Sequence, residues 1–152
     1  MKKTLTALSL LVATAAVATG IAAGSAHSAG AASSGGDLHT TAKLTFAHNV
    51  DLGAHGPSAG DMTTFGGRLT GPDLKGRYQA YCVSISPTRQ ECTETLVTPG
   101  GQIAAQASYG QRGTALTPIV GGSGSYAGAR GDISEREAAK GRVVDLVLHL
   151  EQ

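Results

Sequence analysis

Residues 119–131, Ile-Val-Gly-Gly-Ser-Gly-Ser-Tyr-Ala-Gly-Ala-Arg-Gly, constrain this chain more than any other stretch. An apolar strand end runs into a glycine-dense reversal, carries one aromatic at Tyr126, and leaves near Ala129 into a second strand. Gly121, Gly122 and Gly124 permit positive φ or a close backbone approach that side-chained residues resist. A phosphate-binding loop would need a Gly-Lys-Ser/Thr ending with a helix behind it, and a dinucleotide fingerprint also opens a helix. Here Gly128, Gly131 and the alternation after them lead into a strand instead. The segment is a β-turn.

The chain around this turn is built to match. Strand-like runs are expected at 38–48, 63–69, 76–86, 91–97, 102–109, 114–120, 129–137 and 142–150, with reversals rich in glycine, proline and aspartate between them. Residues 49–60, with Gly53, Gly56, Pro57 and Gly60, form a long irregular loop. The 76–86 run alternates well, with Tyr78, Ala80, Cys82 and Ser84 on one face. No stretch after residue 36 keeps a helical period with caps, although 134–140 would also suit a short helix. Roughly eight short strands point to an antiparallel sandwich or barrel, and their consecutive, hairpin-linked order favours an all-β, closed antiparallel eight-stranded barrel over residues 37–152. Closure removes exposed strand edges, and eight strands leave an interior able to hold one small ligand.

The leading segment reads differently. Lys2 and Lys3, an apolar alanine-rich run at 4–21 and small residues at 22–32 form the pattern of a signal peptide over about residues 1–30, followed by a flexible arm to about 36. Leucine-poor composition argues against a retained membrane anchor. Removal of that segment takes the formal charge from +1 to −1. The expected mature protein is therefore a secreted, single, nearly neutral domain. With no Trp and no basic stripe, nucleic acid is not an expected partner. In an oxidising compartment, the even cysteine count favours a disulfide over a metal or redox pair. A reversal at Pro87 sets Cys82 opposite Cys92, which makes a cross-strand bridge geometrically reasonable.

Three local patterns carry a resemblance to a known family. They are Gly60-Asp61 with Phe65 and Leu69, then Ala80-Tyr81-Cys82-Val83, then the 119–131 turn with its Gly-Gly-Ser-Gly and following aromatic. In this order and spacing the chain resembles the allene oxide cyclase-like barrel family, whose wider superfamily includes the dirigent proteins. The resemblance implies an eight-stranded barrel whose apolar lumen folds a small hydrophobic molecule into one conformer and steers its cyclisation or isomerisation, without a cofactor. One departure stands out. The plant cyclases carry a first-strand glutamate, whereas residues 38–49 contain no Asp or Glu, and only Asn49 matches the family's site pattern there.

Candidate site residues follow from both lines of argument. Arg130 and Asp132 are two apart and share a strand face with Ser134. If that face lines the lumen, they form a charged pair able to orient a ligand or transfer a proton, and are the candidate catalytic residues. The opposite register, with Ala129, Gly131 and Ile133 inward, leaves them solvated. Asn49, Tyr78 and Tyr126 are candidate ligand-binding residues. Glu91, Glu94, Glu135 and Glu137 are possible acids, read as solvated strand and hairpin carboxylates. The five histidines show no metal-ligand grouping, and no strand-to-helix elbow surrounds a serine, so neither a metal site nor a serine hydrolase is expected. The alternative to a cyclase is a non-catalytic lipophilic-ligand carrier, or a barrel acting through its surface or as a homo-oligomer.

Overall fold

The computed structural model describes residues 36–110 and 116–151. The expected signal peptide lies outside the described residues. Eight strands follow one another: β1 (Asp37–Val50), β2 (Met62–Thr70), β3 (Gly76–Ser86), β4 (Arg89–Thr98), β5 (Gly101–Gly110), β6 (Thr117–Gly122), β7 (Arg130–Ala138) and β8 (Val143–Glu151). Each pairs antiparallel with its neighbours in sequence, and β8 returns to β1, closing the barrel. The 134–140 segment is strand and turn, not helix. Its place between two long ladder partners decides the matter over local propensity.

One end of the barrel is packed solid. Leu96, Ile103, Ile119, Ile133, Leu146 and Leu148 are buried from alternate positions of five strands. Leu74, from the β2–β3 turn, plugs that end, and its carbonyl accepts a buried hydrogen bond from the Thr40 hydroxyl at 2.9 Å. The glycine-rich reversal seals the same end. Its single 3-10 turn, Gly124–Tyr126, lies against the β4–β5 turn, where the Ser125 N–H donates to the Gly100 carbonyl at 2.8 Å. Gly124 has φ +62°, and a Cβ there would stand 2.3 Å from the Gly100 oxygen, so only glycine lets the two turns meet.

The other end is open, and a β-bulge sets its wall. Register slips between Leu44 and Phe46, after which Ala47 pairs with Phe65 and Asn49 with Thr63. The extra residue turns Phe46 and His48 outward, where their rings stack at 5.7 Å, and brings Ala47 onto the lumen wall. Loop 51–61 gathers on Asp61, whose carboxylate accepts the N–H groups of Leu52, Gly53 and Ser58. Those donors hold the Asp61 pKa below the ordinary carboxylate value, with the Ser58 N–H contributing most.

Cys82 and Cys92 form the expected disulfide across β3 and β4, as directly paired residues with Cα atoms 4.0 Å apart.

Candidate functional site

The open half of the lumen holds a cavity of about 360 Å³. Small inward residues make the room. Ala80 lies opposite Glu94 on one side and Ala105 on the other, so the β3–β4–β5 wall is thin around that carboxylate. Phe65 and Tyr78 line the same cavity, their ring centroids 6.1 Å apart. The Cys82–Cys92 bridge forms part of the wall nearer the mouth.

Two carboxyl groups meet at the cavity's inner side. Glu94 comes from β4 and Glu135 from β7, and the phenol of Tyr109, from β5, joins them. The Tyr109 oxygen lies 3.0 Å from Glu94 Oε1 and 3.3 Å from Glu135 Oε1. The Thr117 hydroxyl, from β6, donates to Glu135 Oε1 at 2.9 Å and makes a close contact with the Tyr109 hydroxyl. Glu94 is only 2% exposed, and its Oε2 has no hydrogen-bond partner. A buried carboxyl with an unpartnered oxygen is costly unless it holds a proton.

Electrostatics agree with this geometry. Burial first, and then the Glu135 charge, push the Glu94 pKa up from 4.5 to about 8, against the lowering effect of the Tyr109 hydrogen bond. Burial together with the charges of Glu94 and Glu135 raises the pKa of the Tyr78 and Tyr109 phenols, keeping both protonated. Glu94 thus offers a carboxylic acid near neutral pH, with a second carboxyl within the same hydrogen-bonded cluster. That combination can donate a proton at one point of a ligand and receive one at another.

The candidates from sequence fall in different places. Tyr78 is buried in the cavity wall. Asn49 stands at the exposed rim, where its Oδ1 accepts the hydroxyl of the lining residue Thr63 at 2.9 Å. Tyr126 is half-buried at the opposite, sealed end, beside Leu74 and Pro99, and does not reach the cavity. The lumenal placement of Arg130 and Asp132 is corrected. Ile133 is fully buried in the core, and Glu135 and Glu137 line the cavity in phase with it, so the even positions of β7 form the outer wall. Arg130 is exposed there and Asp132 half-buried.

The expectation that Glu94 and Glu135 are solvated is corrected for both: Glu94 is buried and Glu135 half-buried. The signal that finds Glu94 is parity. Cys92 must face inward with its partner, and Glu94 and Leu96 share its face. Nothing comparable locates Glu135, because the sequence does not settle which face of β7 points inward.

Outside the lumen, His149 bridges Ser134 and Asp37, with Nε2 3.1 Å from the Ser134 hydroxyl and Nδ1 2.7 Å from Asp37 Oδ1. Serine, imidazole and carboxylate stand in the order of a hydrolase triad. The three lie on the outer face of β7, β8 and β1, across the seam that closes the barrel, and away from the cavity. They serve as a polar clasp on that seam. Among the described residues there is no cluster able to hold a metal ion and no helix long and apolar enough to cross a membrane.

No family profile matches the chain, and no curated protein matches it. Among solved structures the chain is similar to pyocyanin demethylase, with a TM-score of 0.65 and 22% identity. That match covers 76% of this chain and 99% of the other. At this identity the likeness is one of fold alone.

Proposed function

We propose that this protein binds a small, largely apolar molecule in the open half of its lumen and moves a proton on it, steering an isomerisation or ring closure. The observation that carries the reading is the meeting of Glu94 and Glu135 on the Tyr109 hydroxyl beside the cavity. The protonated Glu94 carboxyl donates to one atom of the ligand, and the Glu135 carboxylate accepts a proton from another. A molecule of unchanged composition results, and no oxidant is required. The aromatic and aliphatic wall holds the ligand in one conformer, and positioning supplies the remainder of the rate. The volume exceeds the roughly 300 Å³ that a small-molecule site needs.

An allene oxide cyclase-like or dirigent-like action fits this arrangement, with one difference in the source of its acids. They come from β4 and β7, and not from the first strand. A demethylase among the structural neighbours supports a barrel of this shape as an enzyme scaffold. Export suits the disulfide and the leading segment alike.

The test begins with a thermal-shift screen of lipophilic small molecules against the mature protein, with Ala80→Phe as a lumen-filled control. Ligands that stabilise the wild type but not the control are then incubated in deuterated water and recovered. Deuterium incorporation or a new isomer, lost in Glu94→Gln and in Glu135→Gln, is the expected result. A stabilising ligand recovered unchanged and unlabelled identifies a carrier and ends the catalytic reading. Stabilisation that persists in Ala80→Phe ends the lumenal one.

A further inference from the structure

We infer that the outer face of β1, β2 and β3 binds a linear acidic polysaccharide, one whose sugar units carry carboxylate or sulfate groups. The inference concerns the outside of the barrel and stands apart from the lumenal site.

A row of cations crosses these three strands. Lys43 pairs with Arg68, and Arg68 with Arg77, so three positive side chains stand directly opposite one another at strand spacings of about 4.8 Å. They are far apart in sequence and meet only in the paired sheet. All three are exposed. Val143 and Val97 end the row. The neighbours two positions along each strand are Thr41, Thr45, Gly66, Thr70, Lys75 and Gln79, with no carboxylate among them. The acid on the adjoining stretch of β8, Asp145, is taken by Thr41 and Arg136. Among the described residues none of the three cations makes an ion pair. Like charges placed directly opposite destabilise a sheet, so the row costs the fold stability unless an anion lies along it.

Beside the row lies an aromatic platform. The Phe46 ring crosses the sheet at Gly66, where a Cβ would stand 2.9 Å from Phe46 Cζ. Phe46 is 44% exposed and stacks on His48. Thr64 alone separates His48 from Tyr81, itself 46% exposed. The negative faces of such rings attract the C–H groups of a sugar. A groove of about 630 Å³ joins platform to cations, with Thr45, Phe46, Arg68, Arg77 and Gln79 on its walls. A guanidinium fork holds a carboxylate or sulfate through paired hydrogen bonds. Ring, guanidinium and amide in one groove match a ligand that is both ring-built and anionic. A nucleic acid draws its affinity from many phosphate contacts, and three cations in a chain of formal charge +1 are too few for it.

Four probes titrated into the mature protein by calorimetry test the inference: a short oligogalacturonate, a neutral malto-oligosaccharide of the same length, inorganic polyphosphate and oligothymidylate. Oligogalacturonate is expected to bind, more weakly as salt rises, and the neutral sugar not to bind detectably. Arg68→Gln/Arg77→Gln should weaken oligogalacturonate by at least about tenfold, the loss expected for charge-assisted hydrogen bonds. The same variant should not lower the denaturant midpoint, because it relieves like-charge repulsion. Phe46→Ala should also weaken the sugar, with its salt dependence unchanged. Should that variant misfold, Tyr81→Ser reads the same platform. No binding of oligogalacturonate, or equal binding of the neutral sugar, overturns the inference. So does polyphosphate or oligothymidylate binding as tightly as oligogalacturonate, or an affinity that the arginine or the platform variant leaves unmoved.

Discussion

The hydroxyl of Tyr109 stands 3.0 Å from Glu94 and 3.3 Å from Glu135, so one phenol on β5 ties a carboxyl of β4 to a carboxyl of β7. A single O–H proton cannot serve both acceptors at once. Burial favours the protonated form of Glu94 whichever carboxyl the phenol faces. Tyr109→Phe leaves the two carboxyl groups without their bridge. It should destabilise the protein by about 1–3 kcal/mol, the range for stranding buried polar groups. Because the Tyr109 hydrogen bond lowers the Glu94 pKa, the same variant should move that pKa upward from about 8. Carboxyl-carbon NMR titration of wild type and variant reads the shift directly, and a downward movement would contradict the bridging role.

The raised pKa of Glu94 makes stability depend on pH with a definite sign. Between 4.5 and about 8, the folded protein keeps a proton that the unfolded chain has already released. This contribution to stability is full below 4.5 and is lost as pH rises through about 8. The groups facing Glu94 are Tyr78 from β3, Tyr109 from β5 and Glu135 from β7, and Glu135 is the one whose negative charge opposes its ionisation. Glu94→Gln should therefore gain stability over wild type as pH rises, by an amount on the order of several kcal/mol across the window. Denaturant midpoints at pH 5, 7 and 9 check this. Parallel curves for the two proteins would mean that Glu94 is ionised in the fold. In catalysis the same titration removes the acid form, so turnover should fall above about pH 8.

The Cys82–Cys92 bridge closes a short loop, with a sequence separation of 10, between strands already in register. Its contribution is the loop-entropy value for such a span, about 2–3 kcal/mol. Cys82→Ala/Cys92→Ala should lower the melting temperature by about 10 °C in a domain of this size. The acid cluster is held also from β5, β6 and β7, so probe binding in the lumen should persist at a temperature where the variant is folded. Calorimetry with and without a lumenal ligand separates the two effects.

Backbone geometry at Gly131 makes a sharper test of closure. Its φ is +119°, and a Cβ would lie 1.9 Å from the His149 carbonyl oxygen on β8. Gly131→Ala must both adopt a strained dihedral and push β7 off β8. A loss of at least about 1–3 kcal/mol follows. Gly121, with open space at its Cβ position and no positive φ, is the matched control. Gly121→Ala should be neutral or stabilise by about 0.4–1 kcal/mol. Chemical denaturation of the pair decides it, and similar losses in both would argue against the tight β7–β8 approach.

Much of the barrel is legible in the sequence because its information is local. Turn residues mark each reversal, and the Tyr78–Ala80–Cys82 alternation names an inner face. The Pro87 reversal sets Cys82 against Cys92 before any coordinates exist. The acid cluster is not legible in the same way, because its members come from β4, β5, β6 and β7 and meet only after closure. The fate of Asn49 and Ala47 depends on a bulge near Thr45, and no local residue pattern announces a one-residue slip. Tyr126 looks like a cavity aromatic because it sits in the most distinctive turn. That turn seals the packed end, and its ring covers core, not lumen.

Strand parity on β7 yields the last prediction. Arg130, Asp132 and Ser134 alternate with Gly131, Ile133 and Glu135, and the complete burial of Ile133 fixes which set is inside. A one-residue change of register would exchange every member of the two sets, so no intermediate arrangement exists. Charge removal at Arg130→Ala should leave deuterium exchange into a lumenal ligand unchanged, whereas Glu135→Gln, five residues along the same strand, should lower it by about a hundredfold or more. The two variants differ in charge sign and in face, so a third is needed to separate those factors. Asp132→Asn removes a negative charge from the outer face, three residues from Glu135. If its effect on the exchange equals that of Glu135→Gln, long-range field rather than lumenal contact governs the reaction, and the inward placement of Glu135 ceases to explain it. Little or no change in Asp132→Asn, with the full loss in Glu135→Gln, assigns the effect to the inner face.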